Sequence, residues 1–227
     1  MGDGAFLHSS RTTGIAALNE LYVAFGTQTD DFDLDGDEDF VVTNGHILQY
    51  PTGIGRKQEP LLLLNDKGFF RRAEFDPQSF FSKLHEGRGL AAGDLDNDGD
   101  LDVAISHINE PVALLRNDRI ATQSVAPNNS SPARHAPRWV SLQLVGTRSH
   151  RDAVGARITL HTSKGDLTRW QRGGCSYCSS PAPQVHFGIP PRAEVTGLTI
   201  HWPGGEKQEL PPPTLNAKTK LLEPISP

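Results

Sequence analysis

Asp31-Phe32-Asp33-Leu34-Asp35-Gly36-Asp37-Glu38-Asp39 and Asp94-Leu95-Asp96-Asn97-Asp98-Gly99-Asp100-Leu101-Asp102 are two copies of one pattern, 63 residues apart. Both carry Asp at positions 1, 3, 5, 7 and 9 and Gly at position 6. A short apolar run follows each, Phe40 to Thr43 and Val103 to Ser106, and reads as a strand. The echo continues downstream. Leu61-Leu62-Leu63-Leu64-Asn65-Asp66 matches Val112-Ala113-Leu114-Leu115-Arg116-Asn117-Asp118, a strand ending in an Asn-Asp turn. Phe69 to Phe75 adds a further strand to the first unit. An internal repeat of strand, acidic loop, strand, then strand and turn therefore organises residues 1–118.

The charge sits where the repeat sits. The chain carries 22 basic and 27 acidic residues, a net charge of -5. Residues 30–39 hold seven of the acids and residues 94–102 hold five. With those twelve set aside the remainder is +7, so the chain reads as a mildly basic body bearing two intensely acidic loops. Like charges a few ångströms apart repel even in water, and loops this dense require a cation. They would also repel phosphate, so no nucleic-acid partner is expected.

Alternate Asp side chains in a tight turn converge on one point, and the Gly at position 6 supplies the backbone freedom for the reversal. Asp31, Asp33, Asp35 and Asp39 in the first loop, and Asp94, Asp96, Asp98 and Asp102 in the second, are the candidate side-chain ligands. Asp37 and Asp100, at position 7, would offer backbone carbonyls. Hard oxygens with no His or Cys suit Ca2+ rather than zinc or copper, so about two calcium ions are expected. The opening resembles an EF-hand, but an EF-hand closes with Glu at position 12. Here position 12 is Val42 or Ile105, inside a predicted strand. The site is instead a strand–loop–strand site closed by the position-9 Asp.

Composition reads the rest. Gly 22 and Pro 17 with a single Met favour short strands and many turns over helices. The one helix-like stretch, Gly14 to Leu21, is short and weakly periodic. Residues 119–137 are rich in Pro, Ser, Asn and Ala, as in a linker or long surface loop. Within them Asn128-Asn129-Ser130-Ser131 holds two overlapping N-x-Ser sequons. Trp139 to Leu144, Ala156 to His161 and Leu198 to Trp202 alternate with period two between Gly/Pro turns. They predict a small all-β domain, a sandwich or barrel, over residues 138–222. The longest aliphatic run, Leu61 to Leu64, is far short of the ~20 residues of a membrane span. Met1 to Leu7 shows no basic region leading into an apolar stretch, so no secretion signal is visible.

Two sets of residues then carry a family resemblance. The acidic loops, with Phe25-Gly26-Thr27 and Asn44-Gly45-His46 around the first and Arg88-Gly89-Leu90-Ala91 and Leu115-Arg116-Asn117-Asp118 around the second, resemble FG-GAP/VCBS repeats of integrin-like β-propellers. Trp139-Val140-Ser141-Leu142, Val145-Gly146-Thr147, Arg151 to Arg157, Gly173-Gly174, Ser176-Tyr177, His186-Phe187-Gly188 and Trp202 to Gly205 resemble an ASPIC/UnbV domain. Their order resembles the cartilage acidic protein-like family. The resemblance implies an all-β fold, a partial β-propeller of two blades (around 31–66 and 94–118) followed by the small ASPIC/UnbV domain. It places calcium on the same eight Asp side chains and implies a secreted or cell-surface setting. Repeat arrays generally need at least three units, so two blades imply the carboxyl-terminal piece of a longer propeller or an oligomer that completes the ring.

The remaining constellations point to no chemistry of their own. Cys175 and Cys178 form a C-x-x-C, but a redox motif needs a βαβ context and a zinc site two more ligands, so they read as structural thiols. His46, His85, His107 and His186 lack paired metal spacing and read as surface or turn residues. The chain has no G-x-S-x-G, P-loop or dinucleotide fingerprint. Trp202 before Pro-Gly-Gly reads as a core aromatic. Alternating acids on one loop serve a cation better than the opposed carboxylates of a glycosidase. The expected function is a non-enzymatic calcium-binding scaffold for a protein or glycan ligand. The alternative is the non-catalytic part of a propeller enzyme acting on polysaccharide, its active site on other blades.

Overall fold

The computed structural model describes residues 7–18, 22–118 and 138–225. The 119–137 segment with its sequons, and residues 19–21 of the helix-like stretch, lie outside the described residues. The fold is all-β, with one short helix, α1 (Ile15–Leu18), and no helix long and apolar enough to cross a membrane among the described residues.

The first sheet runs β1 (Ala24–Asp30), β2 (Asp39–Asn44), β3 (Leu61–Asp66), β4 (Phe69–Arg72), antiparallel and in chain order. The register sets Phe40 opposite Leu63, Val41 opposite Leu62 and Val42 opposite Leu61. Successive side chains face opposite sides, so Val41 and Leu62 share one face and the other four share the second. The second face packs with Phe70 and is covered by Ile15, Leu18 and Tyr22. The first packs on Leu90, Ala92, Val103 and Ile105 of the second sheet. Cover on both faces is why Leu61 to Leu64 is continuously apolar rather than alternating.

The second sheet is β5 (Gly87–Gly93), β6 (Asp102–His107) and β7 (Ala113–Leu115), antiparallel. Both sheets thus repeat strand, acidic loop, strand, strand, as the sequence repeat predicts. Phe69 to Phe75 shortens to the four residues of β4.

Residues 138–225 form a two-sheet sandwich. One sheet is β10 (Gly165–Trp170), β9 (Arg157–Thr162), β12 (Val195–His201), β13 (Lys207–Leu210); the other is β11 (Val185–Gly188), β8 (Trp139–Val145), β14 (Ala217–Leu222). Val140 and Leu142 of β8, Phe187 of β11, Ile158 of β9 and Ile200 of β12 meet in one core. Of the two predicted forms, sandwich or barrel, the sheets take the first. Trp202 is a core aromatic, 2% exposed, its indole N–H donating to Gln208 Oε1 at 3.0 Å. The last strand, β14, returns to lie parallel beside the first, β8.

Glu223, just past β14, ties that return down. Its Oε2 accepts the backbone N–H groups of Thr147, Arg148 and Ser149 at 2.8–2.9 Å and the Ser149 hydroxyl at 3.0 Å. Burial alone would raise this carboxyl; the three N–H donors outweigh it and hold it below the ordinary glutamate range. Charge-assisted bonds are about twice as strong as neutral ones, so Glu223→Gln is expected to lose about 2 kcal/mol, read from the urea midpoint. A depressed folded pKa gives stability that is present above the unfolded glutamate value and lost as pH falls through the folded one. The variant's acid limb should accordingly be flatter than the parent's between about pH 4.3 and the lower folded pKa.

Candidate functional site

The two acidic loops fold alike. Each joins the first two strands of its sheet, residues 31–38 between β1 and β2 and residues 94–101 between β5 and β6. Positions 4 and 6 are left-handed in both: Leu34 (φ 57°) and Gly36 (φ 105°), Asn97 (φ 66°) and Gly99 (φ 101°). These reversals coil the chain. The position-9 carboxylate then closes it. Asp39 accepts the N–H of Phe32 at 3.0 Å on Oδ2 and that of Asn65 at 2.8 Å on Oδ1. Asp102 repeats this with Leu95 at 2.8 Å and Asn117 at 2.9 Å. The Asn side chains finish the clamp, Asn65 Nδ2 donating to Glu38 O at 2.9 Å and Asn117 Nδ2 to Leu101 O at 3.3 Å. Sequence reasoning marked these Asn residues only as turns; their recurrence after the third strand was the available signal.

Three carboxylates converge in each loop. Asp31, Asp33 and Asp39 each place an oxygen within 4.8 Å of the others, and Asp94, Asp96 and Asp102 do the same. Positions 1, 3 and 9 therefore gather as expected. Position 5 does not join these triads: Asp35 Oδ1 accepts the Asp37 N–H and Asp98 Oδ1 accepts the Asp100 N–H, both at 2.9 Å. The Asp37 side chain accepts the Lys67 N–H at 3.0 Å.

The first loop is buried and electrostatically loaded. Asp31 is 1% exposed and Asp39 0%. Burial, reinforced by Asp33 and Asp35, pushes Asp39 up to about 7 despite its two N–H donors. Burial likewise raises Asp31 well above the carboxylate range and Asp35 to about 6. In the second loop burial raises Asp98. A dication would reverse this logic by favouring the ionised forms.

The carboxyl-terminal sandwich sits directly on both loops. Asp31 Oδ2 accepts the Gly188 N–H at 3.1 Å, besides that of Gly36 at 2.9 Å. Arg169 donates to Gly36 O at 3.0 Å, and Arg172 lies 3.5 Å from both Asp30 and Glu38. Lys218 reaches Asp94 Oδ2 at 3.2 Å and Asn97 Oδ1 at 2.6 Å. Trp139 covers Gly99 and stacks on His186, whose imidazole burial lowers to about 4. These basic residues belong to the +7 body inferred from sequence, but Arg169, Arg172 and Lys218, with Arg116 at 3.9 Å from Asp96, are too few for twelve acids. The Asp94 side chain is 1% exposed and its Oδ1 has no hydrogen-bond partner. An oxygen-only triad with a buried, unfilled carboxylate oxygen fits a hard dication.

Cys175 and Cys178 are free thiols on a segment that caps the repeat sheets. Ser176 Oγ accepts the Thr27 N–H at 3.2 Å, Ser179 Oγ accepts the Leu90 N–H at 3.0 Å, and the Ala182 N–H donates to Ala92 O at 3.0 Å. The segment thus covers the free edges of β1 and β5. His85 and His107, read from sequence as separate, come together with Glu110.

Over 137 residues the chain is 28% identical to human cartilage acidic protein 1, covering 59% of this chain and 18% of the relative. Mouse cartilage acidic protein 1 is 27% identical over 157 residues, 66% of this chain and 22% of the relative. The Xenopus tropicalis protein of the same name is 28% identical over 137 residues, 59% of this chain and 19% of the relative. The chain thus spans no more than 22% of the length of these curated relatives. Residues 146–227 match the family described as ASPIC and UnbV, so this part of the sandwich, with its Glu223 tie, is an ASPIC/UnbV domain.

Proposed function

We propose that this chain is a non-enzymatic calcium-binding module of FG-GAP/VCBS type, its two repeat sheets being blades of a propeller capped by the ASPIC/UnbV domain. The observation that carries the reading is the matched pair of oxygen triads, Asp31/Asp33/Asp39 and Asp94/Asp96/Asp102, each closed by a position-9 Asp and an Asn clamp. Asp35 and Asp98, whose Oδ1 atoms brace the position-7 amides, would turn their second oxygens to the ion, and the carbonyls of Asp37 and Asp100 would complete the proposed ligand sets. Calcium bound there supplies the positive charge that the neighbouring Arg and Lys residues provide only in part. The chain's own residues do the rest: they close the loops, exclude water from Asp31 and Asp39, and hold the sandwich against both loops. A rigid surface of this kind serves a protein or glycan partner in a secreted or cell-surface setting, in keeping with the family resemblance.

Calcium titration by calorimetry, with thermal melts in calcium and in chelator, tests the reading. About two ions should bind, and each filled site should add roughly 2.7 kcal/mol at a hundredfold excess over its dissociation constant. A folded sample that takes up no calcium and melts identically in both conditions overturns it.

A further inference from the structure

A chemically different cluster lies at the other end of the β5–β6 hairpin. The acidic loop joins Gly93 to Asp102; at the opposite end the register sets Gly87 against His107. His85, two residues before β5, and Glu110, in the β6–β7 turn, meet there. His85, His107 and Glu110 each offer a ligand atom within 4.8 Å of the other two. The two imidazole centroids are 5.3 Å apart. Phe80 stacks on His85 at 4.0 Å and leans on His107 at 5.7 Å, roofing the pair with an apolar ring.

The hydrogen bonds fix what these rings present. His107 Nδ1 lies 2.9 Å from Pro111 O, and a carbonyl can only accept, so the neutral ring carries its proton on Nδ1. His85 Nδ1 lies 2.8 Å from Glu110 Oε2, so an imidazole nitrogen and a carboxylate oxygen face each other across one proton that a metal would replace. Nε2 of His107 is then a bare lone pair; it is buried and has no hydrogen-bond partner. A ring oriented from Nδ1 by a carbonyl and open at Nε2 is the arrangement of a metal-binding imidazole. Glu110 is itself held, its Oε1 2.6 Å from Lys57 Nζ.

We propose that His85, His107 and Glu110 form a binding site for a divalent transition metal of zinc type, with a remaining position left to water. Two imidazoles and one carboxylate suit zinc, whereas calcium and magnesium seek oxygen alone. The metal would join the start of β5, the end of β6 and the β6–β7 turn. This site is independent of the acidic loops.

Cobalt(II) is the probe, added to the untagged full chain with calcium in excess so that the acidic loops are satisfied. One equivalent should give visible d–d absorption without a thiolate charge-transfer band, and one equivalent of zinc should bleach it. His107→Gln should weaken cobalt binding by at least about tenfold, leaving calcium stoichiometry unchanged. Glu110→Gln, at a part-exposed position, repeats the test should His107→Gln fail to fold. Cys175→Ser with Cys178→Ser should leave the spectrum as it was. No band at one equivalent, a thiolate band, or a band that survives in the folded His107 or Glu110 variant overturns the proposal.

Discussion

Asp39→Ala is expected to cost about 2–6 kcal/mol in the presence of chelator, before any calcium is considered. Two backbone donors, Phe32 and Asn65, lose their acceptor in a place the carboxylate fills at 0% exposure. Each buried N–H left unpaired costs about 1–3 kcal/mol. Loss of the raised, repelling carboxylate returns part of that, so the loss should fall in the lower half of the range. In calcium the loss should grow, because the parent gains site-binding energy that the variant cannot. The informative quantity is therefore the difference between the two urea midpoints, with and without calcium. Asp37→Ala is the control, since its exposed contact with the Lys67 N–H has water as an alternative partner; it should stay within about 1 kcal/mol. Equal midpoints for Asp39→Ala and the parent in chelator would show that the position-9 acid does not close the loop.

The part of this site legible in the sequence was the part set by local spacing. Period-two alternation marked the strands, and Asp at positions 1, 3 and 9 marked the two triads, because each loop fixes those positions within nine residues. Position 5 escaped the same logic. Left-handed residues at positions 4 and 6 turn Asp35 and Asp98 onto the amides at position 7, a detail of backbone geometry that Leu34 and Asn97 do not announce. What was wholly invisible is long-range. Gly188 meets Asp31 across 157 residues and Lys218 meets Asn97 across 121, and nothing in a linear pattern relates them. His85 and His107 likewise meet only because β5 and β6 pair in one register and not another. The sandwich was read as a separate domain after a linker; its residues also roof the acidic loops.

Gly99→Ala tests that roof and is expected to be as damaging as the loss of Asp39. Position 99 carries φ 101°, a conformation that L residues rarely adopt, and a Cβ there would fall inside the Trp139 indole. The ring has little room to retreat. Trp139 is 6% exposed, its backbone N–H donates to Asn216 Oδ1 at 3.0 Å, its carbonyl accepts the Asn216 N–H at 2.8 Å, and its ring stacks on His186. Backbone strain of about 1–2 kcal/mol and overpacking of about 1–3 kcal/mol then add, because the loop cannot relieve one without worsening the other. Gly68→Ala separates the two contributions: its φ is 92°, but a Cβ there meets nothing within 4 Å. It should lose only the backbone part. The excess of Gly99→Ala over Gly68→Ala in the urea midpoint measures how tightly the sandwich presses on the second loop. Calcium binding at that loop should weaken in step, since Lys218 and His186 flank Asp94 from the same domain. Equal losses for the two glycines, with calcium affinity unchanged, would mean that in solution the domain stands off the loop and that calcium organises the repeats alone.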